Sequence, residues 1–159
     1  MTENTTNSEP GLDPARPNGP TRGRRGARYG AVQYLYSALM NSVQAQELVL
    51  AALADDHLRH ADRSYLQTLI HGALEQQQPL EVDLDAQLDR PLVQLDSMER
   101  AILLVGGYEL QHERTLPARV IINEAVELAK IFGATDGHKY VNGVLDRWAR
   151  RVRADEYNG

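Results

Sequence analysis

The sequence predicts an all-α protein, a helical bundle of about seven helices with short connections. Apolar residues recur at helical spacing along most of the 159 residues, and the composition, 42% apolar and 25% charged, is that of a globular domain with a sizeable core. No window approaches the roughly 18 consecutive apolar residues of a membrane span, and the N-terminus lacks the apolar core of a signal peptide. We therefore expect a cytoplasmic protein with no membrane partner.

Composition divides the chain into three segments. Residues 1–22 hold four of the seven prolines among Asn, Thr and Gly, which predicts a disordered Pro/Gly-rich tail with a basic end. The helical domain is predicted over residues 23–154 and a short C-terminal tail over 155–159. Residues 1–30 carry a net charge of +2 in a chain of net charge -5, which leaves -7 for the remainder. This asymmetry indicates a basic arm on an acidic body, or a solvated tail that only aids solubility.

Apolar stripes and one cap predict the first three helices. The first runs over about 26–40, and its stripe consists of Val32, Leu35, Tyr36, Leu39 and Val43. The second extends over 44–60. The third begins after Asp62, whose carboxylate is a suitable N-cap.

The stretch over 79–95 permits two interpretations. Leu80, Val82 and Leu84 alternate as in a strand, whereas Leu84, Leu88 and Leu92 follow helical spacing. A lone strand has no partner, so a helix that ends near Pro91 is favoured.

Caps and glycines define the last three helices. Asp96 and Glu99 form a capping-box variant at the start of one helix, and Gly106 and Gly107 within it predict a close helix crossing. Pro117 begins the next helix and Gly133 ends it. The last helix is predicted to start at a cap, Thr135 or Asp136, and to bury Trp148 among other apolar residues.

Several chemistries are excluded or disfavoured. The chain contains no cysteine, which excludes thiolate catalysis and Cys-ligated metals, and no phosphate loop, zinc-protease helix or nucleophile elbow is present. His57 and His60 lie near aspartates, but a solvated helix end is the favoured interpretation. Glu124 and Glu127 are best interpreted as a solvated face. No catalytic residue, metal or other cofactor is predicted.

Two segments combine basic and aromatic residues. The arginines that end the tail are followed by Tyr29, Tyr34 and Tyr36, a pairing suited to the phosphates and bases of single-stranded RNA, although core packing is an equal alternative for Tyr36. The TDGHKY turn places Lys139 and Tyr140 at a helix start, where free N–H groups favour anions. An ordinary helix start remains the alternative there. Four C-terminal arginines extend a basic face or simply complement the helix dipole, namely Arg147, Arg150, Arg151 and Arg153.

Three segments together resemble the NusB family of bacterial transcription antitermination factors. INEAVELAKIFG followed by ATDGHKYVNGVLD, residues 122–146, is similar to the family's C-terminal signature. RRGARYGAVQYLYS looks like its arginine-rich entry into the first helix, and DSMERAILLVGGYEL looks like its central helix. The resemblance covers about residues 22–152.

The resemblance implies two small helical sub-bundles packed at a steep angle and no enzymatic activity. It also implies binding to the boxA element of ribosomal RNA leader transcripts, together with the small-subunit ribosomal protein NusE, in a complex that helps RNA polymerase resist premature termination. Asp136 matches a position that affects partner binding, and Gln87 stands where the family often has an aromatic. The positions that the resemblance assigns to RNA contact are Arg24, Arg25, Arg28, Tyr36, Glu99, Lys139 and Tyr140.

Two other functions remain open from the sequence. NusB-like domains also occur in ribosomal RNA cytosine methyltransferases, but this chain has neither a cysteine nucleophile nor a Rossmann segment, so it can serve such chemistry only as an accessory. The third possibility is a protein-interaction bundle in which the arginines only steer partners.

Overall fold

The computed structural model describes residues 19–133 and 137–157, and this part of the chain is built from α-helices and two short 3-10 turns. The helices are α1 (Gly23–Met40), α2 (Ala45–Ala54), α3 (Arg63–Glu75), α4 (Gln77–Asp85), α5 (Ser97–His112), α6 (Ala118–Phe132), α7 (Gly137–Val152) and α8 (Ala154–Tyr157). The 3-10 turns span Asp56–Leu58 and Leu92–Gln94. The predicted all-α class is confirmed. The short α8 lies across the predicted boundary between the helical domain and the C-terminal tail.

The helices form two sub-bundles that meet at α5. Helix α1 packs against α3 and α5, and α2 packs against α3, so the first three helices form one sub-bundle. Helices α5, α6 and α7 pack on one another and α4 packs on α5, which gives the second. The implied architecture of two sub-bundles is therefore confirmed. Within the described residues, no helix is both long and apolar enough to cross a bilayer.

Helix α1 begins earlier than the predicted start at residue 26, because a tertiary contact fixes its first residue. Gly23 adopts φ 60°, a conformation that favours glycine. Its N–H donates to the carbonyl of His60, and its own carbonyl accepts from the N–H of Asp62. Arg24 and Arg25 consequently lie in the first turn of α1.

The predicted second helix over 44–60 is wrong in its last part, since α2 ends at Ala54. Asp55 leaves the helix with extended backbone, and its carboxylate accepts from the N–H of His57 and from the hydroxyl of Tyr34. Asp62 is confirmed as the N-cap of α3, because its side chain accepts from the N–H of Tyr65.

The predicted helix end near Pro91 is also wrong. Helix α4 stops at Asp85, and Pro91 instead precedes the 3-10 turn of Leu92–Gln94. The carbonyl of Gln87 accepts two hydrogen bonds from Arg147 of α7, at 2.9 and 3.1 Å. The chain after α4 is thus held by a tertiary contact with α7 instead of continuing the helix.

The paired glycines mark a close crossing of α5 and α7, as predicted. A Cβ atom at Gly107 would lie 2.1 Å from Cη2 of Trp148, and one at Gly106 would lie 3.0 Å from Cδ1 of Leu145. The caps at Asp96, Pro117 and Gly133 are also confirmed. The predicted caps at Thr135 and Asp136 lie outside the described residues.

Candidate nucleic-acid interface

The first two predicted RNA-contact residues, Arg24 and Arg25, present exposed side chains in the first turn of α1. The guanidinium of Arg24 lies 4.1 Å from the ring centroid of Tyr65, and its Nε is 4.0 Å from a carboxylate oxygen of Asp62. The Nε of Arg25 donates to both carboxylate oxygens of Glu124 on α6, at 3.1 and 3.2 Å. Both cations thus face solvent while each has a carboxylate beside it.

Arg28 differs from its two neighbours, because its side chain is buried. Its Nε donates to both oxygens of Glu109 at 3.0 and 2.9 Å, and its Nη1 is 3.8 Å from Glu124. The hydroxyl of Tyr65 donates to the same carboxylate of Glu109. Burial raises the pKa of Glu109, and the Arg28 cation opposes that rise. The expectation that Arg28 lies at the surface beside an RNA backbone does not match this buried ion pair.

These residues form one N-terminal cluster, which we define as Arg24, Arg25, Arg28, Tyr65, Glu109 and Glu124. Burial, followed by the negative charge of Glu109, raises the pKa of Tyr65, so its phenol stays protonated and can donate to the carboxylate. Tyr65 also joins the exposed Arg24 to the buried pair, because its ring lies under the Arg24 guanidinium. Tyr65 and Glu109 were not among the site residues predicted from the sequence. The one signal for Glu109 is its place near the end of the DSMERAILLVGGYEL segment that resembles the family's central helix.

The tyrosines after the arginines do not form an exposed stacking platform. Tyr29 is buried and stacks on Phe132 with ring centroids 5.4 Å apart, and the hydroxyl of the buried Tyr34 donates to Asp55 at 2.9 Å. The base-stacking interpretation is therefore wrong for these two residues, since core packing covers their rings. Tyr36 is partly buried against the hydrophobic core, and its RNA contact remains a prediction.

A second cluster lies where the loop after α4 meets the start of α7. The guanidinium of Arg90 lies 4.4 Å from the ring centroid of Tyr140, and the hydroxyl of Tyr140 donates to Asp89 at 3.4 Å. Burial raises the pKa of the Tyr140 phenol, and the Arg90 cation opposes the rise. Lys139, the preceding residue, is exposed.

Glu99 belongs to the same cluster, which we call the α7 cluster and define as Asp89, Arg90, Glu99, Lys139 and Tyr140. A Cβ at Gly137 would lie 2.9 Å from Oε2 of Glu99, so this carboxylate lies against the first turn of α7. Burial and the neighbouring Asp96 charge raise the pKa of Glu99, while Arg90 lowers it. The structure thus brings Glu99 to the start of α7, where the sequence had already placed Lys139 and Tyr140 together.

Arg90 is a member of the α7 cluster that the sequence analysis missed. Only the fold places it over Tyr140, because the early end of α4 leaves residues 86–90 free to reach α7.

Gln87, at the position where the resemblance suggests an aromatic, is buried, and its side chain donates to the carbonyl of Asp83. The two clusters lie at opposite ends of α5, since Glu99 and Glu109 are separated by about 15 Å along the helix.

Two of the C-terminal arginines do not form the predicted basic face. Arg147 donates to the carbonyl of Gln87, and Arg153 is fully buried with its guanidinium on backbone carbonyls at the end of α5 and in the following loop. Neither guanidinium is directed to a ligand in solvent.

The described residues hold no grouping of three acidic or histidine side chains that could bind a metal ion. Around His57, the nearby Asp55 is already engaged with Tyr34 and with the backbone N–H of His57. Asp136, the predicted partner-binding residue, lies outside the described residues.

Comparison with known sequences yields one family and several close relatives. The model of the NusB family matches residues 25–150. A transcription antitermination protein NusB from Nitrosomonas eutropha is 44% identical over 151 residues, which cover 91% of this chain and 90% of that protein. The protein of the same name from Ralstonia nicotianae is 48% identical, over 90% of this chain and 93% of its own length.

Solved structures agree with the sequence comparison. NusB from T. maritima superposes with a TM-score of 0.72 at 25% identity, covering 86% of this chain and 97% of that one. A crystal structure of the antitermination factors NusB and NusE in complex with dsRNA gives a TM-score of 0.70 at 22% identity, over 80% of this chain and 96% of the matched chain. The second likeness concerns the fold alone.

Proposed function

The chain belongs to the NusB family, and we propose that its two clusters are the RNA-binding surface of a transcription antitermination factor. The protein is an RNA-binding adaptor that acts with the ribosomal protein NusE. We propose further that it is non-catalytic, that its RNA is the boxA element of ribosomal RNA leader transcripts, and that the complex joins RNA polymerase and suppresses premature termination. Such a role places the protein in the cytoplasm.

The observation that carries the RNA-binding proposal is the arrangement of the α7 cluster. Arg90, Lys139 and Tyr140 come from two distant parts of the chain and lie together beside Glu99 at the start of α7. Arginine and lysine suit phosphate, an aromatic ring offers a face to a base, and a carboxylate can accept from base amino groups. This cluster therefore contains the groups needed to distinguish one RNA sequence from another.

The N-terminal cluster supplies the sequence-independent part of the proposed binding. Arg24 and Arg25 are exposed cations that can approach the backbone, and such contacts provide affinity without reading bases. Arg28 supports them indirectly, because its buried pair with Glu109 fixes α1 against α5. Tyr36 is proposed to contact RNA from the same helix, and Asp136 is proposed to face the protein partner.

The test is a gel-shift titration with a boxA RNA and a scrambled RNA, with and without the NusE-like protein. Replacement of Tyr140 by Ala should weaken boxA binding by about 1–3 kcal/mol, the usual contribution of one stacked base. The scrambled RNA should be affected less, because it lacks the base that both stacks on the ring and donates to the Glu99 carboxylate. Tyr140→Phe is the matched control, since it keeps the ring and removes only the hydrogen bond to Asp89. Arg25→Ala should weaken binding to both RNAs equally.

Three results would contradict parts of the proposal. Equal affinity of the wild-type complex for boxA and scrambled RNA would remove the specific role of the α7 cluster and favour a bundle that binds only proteins. Failure of the NusE-like protein to co-purify from a bacterial lysate would contradict the proposed partnership. A methyl-transfer assay on ribosomal RNA tests the non-catalytic part, because stimulated transfer would assign the chain to RNA modification.

A further inference from the structure

Glu124 is a negatively charged member of the N-terminal cluster, and it pairs with Arg25, a cation that is proposed to bind the negatively charged RNA phosphate. On the premise that the proposed function is correct, we propose that Glu124 competes with the RNA phosphate for Arg25 and thereby limits the affinity of this cluster for RNA. RNA binding then requires that Arg25 exchange a carboxylate of the protein for a phosphate of the ligand.

The geometry of the Arg25–Glu124 pair makes such an exchange possible. Both oxygens of Glu124 lie within 3.2 Å of the Arg25 Nε, so the carboxylate is directed at this guanidinium. The side chain of Arg25 is 68% exposed, whereas that of Glu124 is 16% exposed. The cation is thus accessible to a ligand, and the anion is held by the surface of α6. Exposed ion pairs contribute little stability, so a phosphate can displace one partner.

The rest of the cluster offers Glu124 no equivalent partner. Arg28 is the other cation near it, at 3.8 Å, but the Nε of Arg28 already donates to both oxygens of Glu109. The N-terminal cluster therefore contains three arginines and two carboxylates, and Arg24 has Asp62 at 4.0 Å in addition. Glu109 of α5 and Glu124 of α6 thus pair with two of the three arginines of this cluster before any RNA binds.

Solvent reaches the pair through a surface cavity of about 270 Å³. Its charged lining residues are Arg25, Arg28, Glu124 and Glu127, and apolar residues that include Pro20 and Leu128 line the rest. A phosphate that enters this cavity lies near the carboxylate of Glu124 as well as near Arg25, so the two anions repel each other. This repulsion is the physical basis for the proposed limit on affinity.

The chain offers a matched control for a test by substitution. Glu124→Gln removes the negative charge and keeps the shape and one hydrogen-bond acceptor for Arg25. Glu127→Gln makes the same charge change one helical turn away on the same cavity, where the mostly exposed carboxylate pairs with Lys130 at 3.3 Å. It therefore separates the pairing with Arg25 from the general effect of a carboxylate in the cavity. Both variants are titrated with boxA and scrambled RNA, in complex with the NusE-like protein, over a series of salt concentrations.

We expect Glu124→Gln to bind both RNAs more tightly than Glu127→Gln, by about two- to fivefold, the range that an exposed ion pair can supply. The slope of log affinity against log salt should steepen by up to about 0.7, the value for one additional phosphate contact on a single strand. In an Arg25→Ala background most of this gain should disappear, because the cation for which the two anions compete is absent.

Three outcomes would overturn the proposal. Equal affinities of the two glutamine variants would show that Glu124 has no effect beyond that of any carboxylate in this cavity, and weaker binding by Glu124→Gln would show that it positions Arg25 for the phosphate. Persistence of the gain without Arg25 would show a general charge effect. In all three, wild-type preference for boxA RNA would leave the proposed function standing, whereas a wild type that binds no RNA would overturn both.

Discussion

Arg28 is the residue whose environment differs most from that expected for an RNA-binding arginine. It lies in the same sequence run as Arg24 and Arg25, but α5 supplies Glu109 directly beside it. A buried ion pair is stable only when its geometry is good and further hydrogen bonds compensate the hydration that both charges lose. Here the Glu109 carboxylate accepts hydrogen bonds from Arg28 and from Tyr65. The main contribution of Arg28 is therefore to the folded state.

This assignment predicts a large stability loss for Arg28→Met. The free energy of unfolding should fall by about 3–5 kcal/mol at neutral pH, because Glu109 is left buried without its cation. Urea denaturation followed by the fluorescence of Trp148 measures the loss. Arg59→Met is the control, since Arg59 is exposed and pairs with the exposed Asp56, so its loss should be below about 1 kcal/mol.

The same variant should show a distinctive pH dependence. Without Arg28, burial holds the native pKa of Glu109 further above its ordinary value of 4.5. The folded state then binds this proton more tightly than the unfolded state, so the deficit should be small below pH 4.5, grow as pH rises from there to the native pKa, and level off above it. A deficit that is constant between pH 4 and pH 8, on the order of a few kcal/mol, would contradict burial of the unpaired carboxylate.

Helices α5 and α7 show how an element is shaped by its neighbour. Two adjacent glycines are unfavourable in an isolated helix, by about 1 kcal/mol each relative to Ala, yet they lie in the middle of α5. Trp148 of α7 occupies the space that a side chain at Gly107 would need. The close contact also fixes the start of α7 beside Glu99, so the packing of the core positions the α7 cluster.

Gly107→Ala should accordingly destabilise the protein by about 1–3 kcal/mol, the usual cost of overpacking. The added methyl group would meet the Trp148 ring at 2.1 Å, and the emission of this single tryptophan should shift as the ring moves. Gly143→Ala in α7 is the matched control, because its Cβ would meet only Arg147 at 3.5 Å. That variant should be neutral or up to about 1 kcal/mol more stable. Equal losses in both would contradict the crossing as the reason for Gly107.

At the scale of the whole molecule, Arg153 connects the C-terminus to the middle of the chain. It is fully buried, and its guanidinium donates to the carbonyls of Leu110, Glu113 and Leu116. The carbonyl of Leu110 lies in the last turn of α5, where carbonyls have no partner within the helix. Those of Glu113 and Leu116 lie in the following loop, and the Glu113 carbonyl also accepts from the N–H of Leu116. Arg153 therefore joins α5 and α6 to the end of α7.

Arg153→Lys should lower the free energy of unfolding by at least about 3 kcal/mol, although it keeps the charge. A lysine ammonium cannot reach carbonyls that a planar guanidinium contacts on several sides, and each unsatisfied buried carbonyl costs about 1–3 kcal/mol. Arg151→Lys, at an exposed position in the last turn of α7, should change stability by less than about 0.5 kcal/mol. Chemical denaturation of the two variants side by side makes the comparison, and similar midpoints would contradict the role of Arg153.

Much of this protein follows from local sequence. The helical period predicts the class, and Asp62, Asp96, Pro117 and Gly133 define helix ends because capping and proline effects act within a few residues. The ends of α2 and α4 were mispredicted because distant groups determine them. The carboxylate of Asp55, which accepts from Tyr34, lies at the end of α2. The carbonyl of Gln87, which accepts from Arg147, lies just after the end of α4.

The sequence by itself determined the helical class, the family and most of the residues proposed to contact RNA, because these depend on short patterns of apolar, charged and glycine residues. Only the tertiary structure decided which of those residues have side chains that are exposed and free of burial in the core, so that they can contact RNA. It buried Arg28 against Glu109 and Tyr29 against Phe132, paired Arg25 with Glu124, and placed Arg90 over Tyr140. The reason is physical: burial and ion pairing depend on which charges meet across helices, and residues far apart in sequence supply the partners.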